Sequence, residues 1–161
     1  MIQQINFETI QEIWYEEDMW GQLAYAPPTN DYLFWNGKEY LGQKEKRIKD
    51  LKYSKPIFYG YIEDKKILGV NSYFHVNDEQ CRSRGLYVYP EYRKYGIGTI
   101  LLKYAIEQNR NKKYKFIWSK PRNTAIGTYK KAGFMITSEP FEVTPDGEPM
   151  LYKNYYCKYD Y

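Results

Sequence analysis

An arginine and two glycines are the residues of this chain whose spacing best suits the binding of a phosphate group. They form the pattern Arg93-x-x-Gly96-x-Gly98, directly after a strand-like run over 81–88 and at the start of an amphipathic run over 98–110. Glycine lets the backbone approach a ligand closely, and the unpaired N–H groups of a helix N-terminus favour an anion. The spacing predicts a cradle for a pyrophosphate group, the alternative being a plain strand-to-helix turn.

The surrounding residues narrow the class of ligand. Gly96 and Gly98 lack the third glycine of a dinucleotide fingerprint, and no Gly-Lys-Ser/Thr follows as it does in a P-loop. Nucleotide hydrolysis and dinucleotide binding are therefore disfavoured. Lys94 offers the phosphates a positive charge, unless its role is simple surface solvation.

Two strand-helix units must position this cradle. In the first, residues 97, 101, 104, 105 and 108 form one largely apolar stripe of the helix. In the second, a buried-strand pattern over 114–118 precedes a short helix over 123–132. Gly133 then occupies the position just past the helix end that favours glycine.

The other patterns complete a mixed domain. A helix over 8–19 places Ile10, Ile13, Trp14 and Glu17 on one face. A hairpin is predicted over 56–62 and 67–76, and two strands over 134–143 and 150–158 close the chain around the turn signal Asp146-Gly147. Breakers and aromatics fill a long loop over 21–42, and basic residues fill a helix over 44–55.

This order predicts one α/β (α+β) domain over residues 1–161. Its mixed, mostly antiparallel sheet has about six to seven strands, flanked by about four helices. Residues 1–55 form a region of helices and an aromatic loop, and residues 56–161 carry the sheet.

Composition bounds the class of protein. The 161 residues are 43% hydrophobic and 27% charged with a mean hydropathy of −0.79, so we expect a folded domain with no membrane span. The N-terminus lacks the features of a secretory signal, which makes the cytoplasm the expected location. Two cysteines without a CxxC motif and a single histidine predict reduced thiols and no metal. The net charge of +4 suits a phosphorylated small ligand and makes no strong case for nucleic acid.

The cradle after Leu86-x-Val88, together with the later run over 123–134, resembles the GCN5-related N-acetyltransferase (GNAT) superfamily. The match spans about residues 57–158 and implies the GNAT fold with acetyl-CoA as co-substrate. It implies that a splay beside the third strand receives the pantetheine arm. The implied acetyl-CoA-binding residues are Leu86, Val88, Arg93, Lys94, Tyr95, Gly96, Ile97, Gly98, Thr99 and Asn123. Asn123 lies two residues before Ala125 where the family's asparagine usually lies three, and Arg122 occupies that usual place.

The resemblance also implies the chemistry. A neutral amine would attack the thioester directly in a ternary complex, with a backbone N–H near Val88 facing the developing oxyanion. Tyr129 matches the tyrosine that commonly protonates the departing thiolate. A tyrosine pKa of about 10 keeps that proton in place at neutral pH. The alternative for Tyr129 is a packed helix residue.

The sequence leaves the identity of the general base open. The strand position that commonly holds a glutamate aligns with Arg82, and Arg84 follows on the same face. Two arginines could bind an acidic acceptor, a water relay could replace the base, or His75 could serve from the end of the preceding strand. His75 could equally be structural.

We therefore expect an acetyl-CoA-dependent N-acetyltransferase acting on a primary amine, with a small-molecule acceptor slightly ahead of a protein or peptide. Two alternatives stay open: a toxin-like enzyme acetylating aminoacyl-tRNA, motivated by the basic residues of 112–131, and a non-catalytic CoA-binding module. The resemblance places acceptor specificity in the loop over 21–42 and the turn over 144–149. Glu16, Glu17 and Asp18 beside Trp20 could select a cationic amine. Homodimers are common in folds of this family.

Overall fold

The computed structural model describes residues 1–16, 56–143 and 149–161. The strands are β1 (Ile2–Ile5), β2 (Ile57–Glu63), β3 (Lys66–Asn77), β4 (Gln80–Val88), β5 (Phe116–Ser119), β6 (Met135–Ile136), β7 (Phe141–Val143), β8 (Pro149–Asn154) and β9 (Cys157–Asp160). The α-helices of these ranges are α1 (Phe7–Glu16), α2 (Ile97–Asn109) and α3 (Ile126–Ala132).

Seven strands form one sheet in the order β1-β2-β3-β4-β5-β9-β6, and β7 pairs with β8 in a separate ribbon. Within the seven-stranded sheet, β4 and β5 run parallel and the other neighbours run antiparallel. The predicted mixed, mostly antiparallel sheet is therefore confirmed. The described residues hold three of the roughly four expected helices, and the predicted helix over 44–55 and loop over 21–42 lie outside them.

The sheet carries helices on both faces because its strands alternate apolar side chains between the two sides. On one face, Ile10, Ile13 and Trp14 of α1 pack against the sheet, as the predicted apolar stripe requires. Glu17, the last residue of that predicted stripe, lies outside the described residues. On the other face, α2 and α3 cover a second cluster that includes Leu101.

Two parts of the closing region differ from the prediction. The single strands expected over 134–143 and 150–158 are each split between the large sheet and the β7-β8 ribbon. Pro140 lies in the first break, where it has no N–H to continue a ladder. The expected antiparallel pairing around the turn is present in β7 and β8, while residues 144–148 of the turn lie outside the described part.

At the other end of the chain, the sequence patterns do not predict strand β1, which pairs with β2.

A bulge in β4 reverses the direction of its side chains. Val70 pairs with Tyr87 and Ser72 with Arg84, so one residue of β3 opposes two of β4. Gly85 lies in this bulge with φ +79°, a left-handed conformation that glycine adopts without strain. Side chains before and after the bulge therefore follow opposite alternation, and Leu86 and Val88 pack on the α2 face.

We predict that Gly85→Ala destabilises the protein by about 3 kcal/mol. A Cβ at this position would lie 2.2 Å from Cζ2 of Trp14, whose indole N–H donates to the Gly85 carbonyl at 2.9 Å. Gly127→Ala is the matched control, because nothing lies within 4 Å of its added Cβ. Urea unfolding should show the control unchanged or slightly more stable; equal stabilities for the two variants would contradict the tight packing of Gly85 against Trp14.

Candidate active site

The parallel strands β4 and β5 separate before β4 ends. Their pairing covers Gln80, Cys81 and Arg82 of β4, opposite 116–118 of β5. At the next position the Ser119 side chain donates to the Ser83 carbonyl at 2.8 Å. Beyond this apex, β4 runs on to Val88 while β5 has ended, so this edge of β4 pairs with no strand of the described residues; we call this unpaired edge the opening.

The main chain of β4 turns peptide groups toward this opening. The N–H of Tyr89 donates to the Leu68 carbonyl on the β3 side at 3.1 Å. Because successive residues of a strand direct their peptide groups to opposite sides, those of Leu86 and Val88 point away from β3. These are the two residues that sequence reasoning assigned to the pantetheine arm.

The predicted cradle follows directly after the opening. Lys94 and Gly96 both have left-handed backbones, with φ +70° and +81°. Gly96 caps α2, and its carbonyl accepts the first helical bond from the Ile100 N–H at 3.0 Å. Nothing lies within 4 Å of a Cβ built on Gly96, and residues 93–96 are exposed. A phosphate can therefore approach the N-terminal N–H groups of α2 from solvent.

Arg93 braces the cradle against β4. Its Nε donates to the Val88 carbonyl at 2.8 Å, and its guanidinium carbon lies 5.5 Å from the centre of the Tyr87 ring. The Val88 carbonyl is thus engaged by Arg93, so the Val88 N–H is the group of this peptide that suits a ligand oxygen. Tyr95 is 77% exposed beside the cradle, whereas Ile97 is buried in the core.

Gly98 allows α3 to pack closely on the start of α2. A Cβ on Gly98 would lie 2.9 Å from the Thr128 methyl group, which shows how closely α3 packs on the start of α2. Thr128 immediately precedes Tyr129, so this packing fixes the predicted acid. Gly133 ends α3 in a left-handed conformation, as predicted, and the N–H of Phe134 donates to the Tyr129 carbonyl at 3.0 Å.

Tyr129 directs its hydroxyl to the apex of the opening. The phenol is buried, and its oxygen lies 3.1 Å from Ser119 Oγ. Burial raises the pKa of Tyr129 well above its ordinary value, an effect that the nearby Cys157 reinforces. The Ser119 hydrogen bond and the Arg82 charge oppose this shift without cancelling it. The phenol therefore stays protonated across the physiological range.

The structure separates the remaining predicted residues into two groups. Asn123 lies in a short 3-10 helix (Asn123–Ala125) after β5, at the same sheet edge as the cradle, with its side chain exposed. His75 pairs with Cys81 of β4, whereas Val88 pairs with Gly69. Six strand positions thus place His75 about 20 Å from the cradle end of the sheet. There its Nδ1 lies 2.9 Å from the Tyr114 hydroxyl, a contact that fits the structural alternative for His75.

Arg82 and Arg84 share one face of β4, as predicted. Their register partners are Phe74 and Ser72, which places both on the face that α1 covers. Both arginines are buried, with 2% and 7% of their surface exposed. The Arg82 guanidinium carbon lies 4.5 Å from the centre of the Trp118 ring.

Ser119 is the site residue that sequence reasoning missed. The one sequence signal for Ser119 is its position at the end of a buried-strand pattern. Its hydrogen-bond partner Ser83 is 36 residues away in the chain, so no local pattern links the two. Within 1–16, 56–143 and 149–161, no cluster of His, Cys, Asp or Glu is arranged to hold a metal ion. Over the same ranges, no helix is long and apolar enough to cross a membrane.

A family model described as Acetyltransferase (GNAT) family matches residues 7–134, most of the chain. The protein therefore belongs to the GNAT acetyltransferase family, and the resemblance seen in the sequence is confirmed. The UPF0157 protein YqkA of Bacillus subtilis (strain 168) is 31% identical over 91 residues, which cover 56% of this chain. The match spans about a quarter of that relative, 26% of its length.

Solved structures share the fold. A GNAT family acetyltransferase from Elizabethkingia anophelis with acetyl-CoA bound has 18% identity and a TM-score of 0.56, covering 100% of this chain and 97% of that one. The ribosomal-protein-S18-alanine N-acetyltransferase from Escherichia coli has 17% identity and a TM-score of 0.62, covering 99% and 92%. At these identities the likeness concerns the fold and not the acceptor.

We predict that a negative charge at Gly96 weakens CoA binding at least about tenfold. Gly96→Asp places a carboxylate at the helix N-terminus, where the phosphates of CoA would lie. Gly96→Asn is the matched control, because asparagine has nearly the same shape and tolerates the same left-handed backbone without the charge. Titration calorimetry with CoA compares the two; equal affinities would mean that the phosphates bind elsewhere.

Proposed function

We propose that this protein transfers the acetyl group of acetyl-CoA to a primary amine by direct attack. The observation that carries the proposal is the opening between β4 and β5, which has a helix N-terminus at its mouth and the Tyr129 hydroxyl at its apex. One end suits a pyrophosphate and the other a departing sulfur. The family to which the chain belongs supports the same chemistry.

Backbone groups supply most of the proposed CoA contacts. The N–H groups of residues 94–99 wrap the pyrophosphate, Lys94 adds charge, and Arg93 holds the loop against Val88. Peptide groups of Leu86 and Val88 pair with the pantetheine arm in the opening. Asn123 approaches the arm from the facing edge. In this proposal Tyr95, Ile97, Gly98 and Thr99 act through their backbone or their packing.

The reaction needs one bond exchange and a balanced pair of protons. The amine nitrogen bonds to the carbonyl carbon as the carbon-sulfur bond breaks and its electron pair goes to sulfur. During this exchange a β4 peptide N–H that faces the opening donates to the carbonyl oxygen, which gains negative charge. The nitrogen loses one proton and the sulfur gains one. Because the amine attacks the thioester directly, no covalent intermediate forms on the protein.

Tyr129 supplies the proton to sulfur. Because burial raises its pKa, the phenol keeps its proton at alkaline pH values where a primary amine becomes a free nucleophile. The proton that the amine loses leaves through water. Arg82 holds the strand position of the usual glutamate, and His75 lies at the far end of the sheet.

The acceptor is a primary amine, with a small molecule slightly favoured. A protein or peptide amine is the first alternative, since one solved structure of similar fold is named a ribosomal-protein-S18-alanine N-acetyltransferase. Aminoacyl-tRNA has weaker support, because the basic residues that motivate it divide between the two ends of β5. Lys115, for example, pairs with Glu79 at 2.6 Å before β5 begins. A CoA-binding module without catalysis is the alternative from another class.

Labelled acetyl-CoA and a cell extract divided into small-molecule, protein and RNA pools test the proposal. We expect label in the small-molecule pool, and at least about a hundredfold slower transfer by Tyr129→Phe with CoA affinity nearly unchanged. The pH profile should show no alkaline loss of rate below about pH 10, because a raised pKa keeps the acid protonated to higher pH.

Tyr161→Phe is the control for this experiment. Its hydroxyl also donates to a main-chain carbonyl, that of Ile106 at 2.8 Å, in a partly buried hydrogen bond on the C-terminal half of α2. This variant should transfer acetyl groups at the unmodified rate. Absence of label from every pool, with CoA still bound, would favour the non-catalytic module, and an unchanged rate in Tyr129→Phe would refute its acid role.

A further inference from the structure

Ser119 connects the apex of the opening to the proposed acid. Ser119 is buried, with 3% of its surface exposed, and it lies at the point where the β4-β5 ladder stops. Its Oγ donates to the Ser83 carbonyl at 2.8 Å and lies 3.1 Å from the Tyr129 hydroxyl. A single serine hydroxyl thus joins β4, β5 and α3.

The chemistry of these groups fixes the direction of both hydrogen bonds. A carbonyl oxygen is an acceptor with no proton to give, so Ser119 must spend its one proton on Ser83. The remaining bond therefore runs from the Tyr129 hydroxyl to the Ser119 oxygen. The tyrosine proton is therefore directed at Ser119, the residue at the apex of the opening.

The Ser83 end of this chain is held firmly. The Asn71 amide donates to Ser83 Oγ at 2.9 Å and to the Tyr59 hydroxyl at 2.8 Å. Tyr59 in turn donates to the Leu101 carbonyl of α2 at 2.8 Å. All of these side chains are buried, so the residue that accepts from Ser119 is tied to the same helix that begins at the cradle.

We propose that Ser119 is a positioning residue that holds the Tyr129 hydroxyl oxygen at the apex of the opening, beside the leaving sulfur. This role rests on the proposed acetyl transfer. Before transfer Ser119 accepts from Tyr129. During transfer the Tyr129 O–H turns from the Ser119 oxygen to the sulfur and gives up its proton, and the resulting phenolate oxygen remains beside Ser119 until it regains a proton from solvent. Ser119 itself neither gains nor loses a proton.

A double-mutant cycle with Tyr129→Phe tests this role. We expect Ser119→Ala to lower kcat about tenfold while the KM for acetyl-CoA changes less than about twofold. In the Tyr129→Phe background, Ser119→Ala should cause no further loss, because the hydroxyl that it orients is already gone. Ser119→Thr, which keeps a hydroxyl at this position, should recover most of the rate.

Asn109→Ala controls for a loss of stability. Asn109 is also buried and donates to a main-chain carbonyl, that of Ala105 at 2.7 Å, in the last turn of α2. It should lower the unfolding midpoint and leave kcat unchanged. An unchanged kcat in Ser119→Ala, or the same loss in both backgrounds, would overturn the Ser119 role alone. No transfer by the unmodified protein would refute the proposed function, and this role with it.

Discussion

The left-handed backbone of Gly85 controls which main-chain and side-chain groups of β4 face each neighbouring element before and after the bulge. Before the bulge, the Ser83 carbonyl faces β5 and accepts from Ser119. After the bulge, the Tyr89 N–H faces β3. Because peptide groups alternate along a strand, those of Leu86 and Val88 face the opening. The same reversal directs their side chains to α2, while Trp14 of α1 occupies the space that a Cβ on Gly85 would need. One glycine thus determines the direction of the main-chain and side-chain groups of β4 and the position at which α1 packs.

From that arrangement the two ends of the opening acquire opposite character. At the mouth, the N-terminus of α2 and the exposed, left-handed Lys94 and Gly96 offer positive potential to an anion. At the apex, the buried Tyr129 retains its proton because its charged form would be poorly solvated. Gly98 couples the ends, since α3 approaches α2 through the Thr128 methyl group. A ligand that spans the opening would meet phosphate-binding and proton-donating groups in one path.

Local patterns predicted the parts of this site that short stretches of chain determine. The start of α2 at the paired glycines and the helix end at Gly133 follow from neighbouring residues, and the structure has them where the patterns placed them. The predicted stripe of α2 is confirmed for Ile97, Leu101 and Ala105, but Gln108 is exposed, and Leu102 and Ile106 are buried beside the stripe. Contacts distant in sequence were not predictable in this way. Strand β1 forms through pairing with β2, and Ser119 gains its place from Ser83 and Tyr129, so a single sequence carries no periodic signal for either.

The central claim is that the opening between β4 and β5 seats acetyl-CoA with its sulfur beside Tyr129. A crystal structure of the protein with CoA tests this most directly. We predict the pyrophosphate on the N–H groups of residues 94–99 and the sulfur within hydrogen-bonding distance of the Tyr129 hydroxyl. A CoA molecule bound outside the opening, or one whose sulfur lies far from Tyr129, would contradict the account.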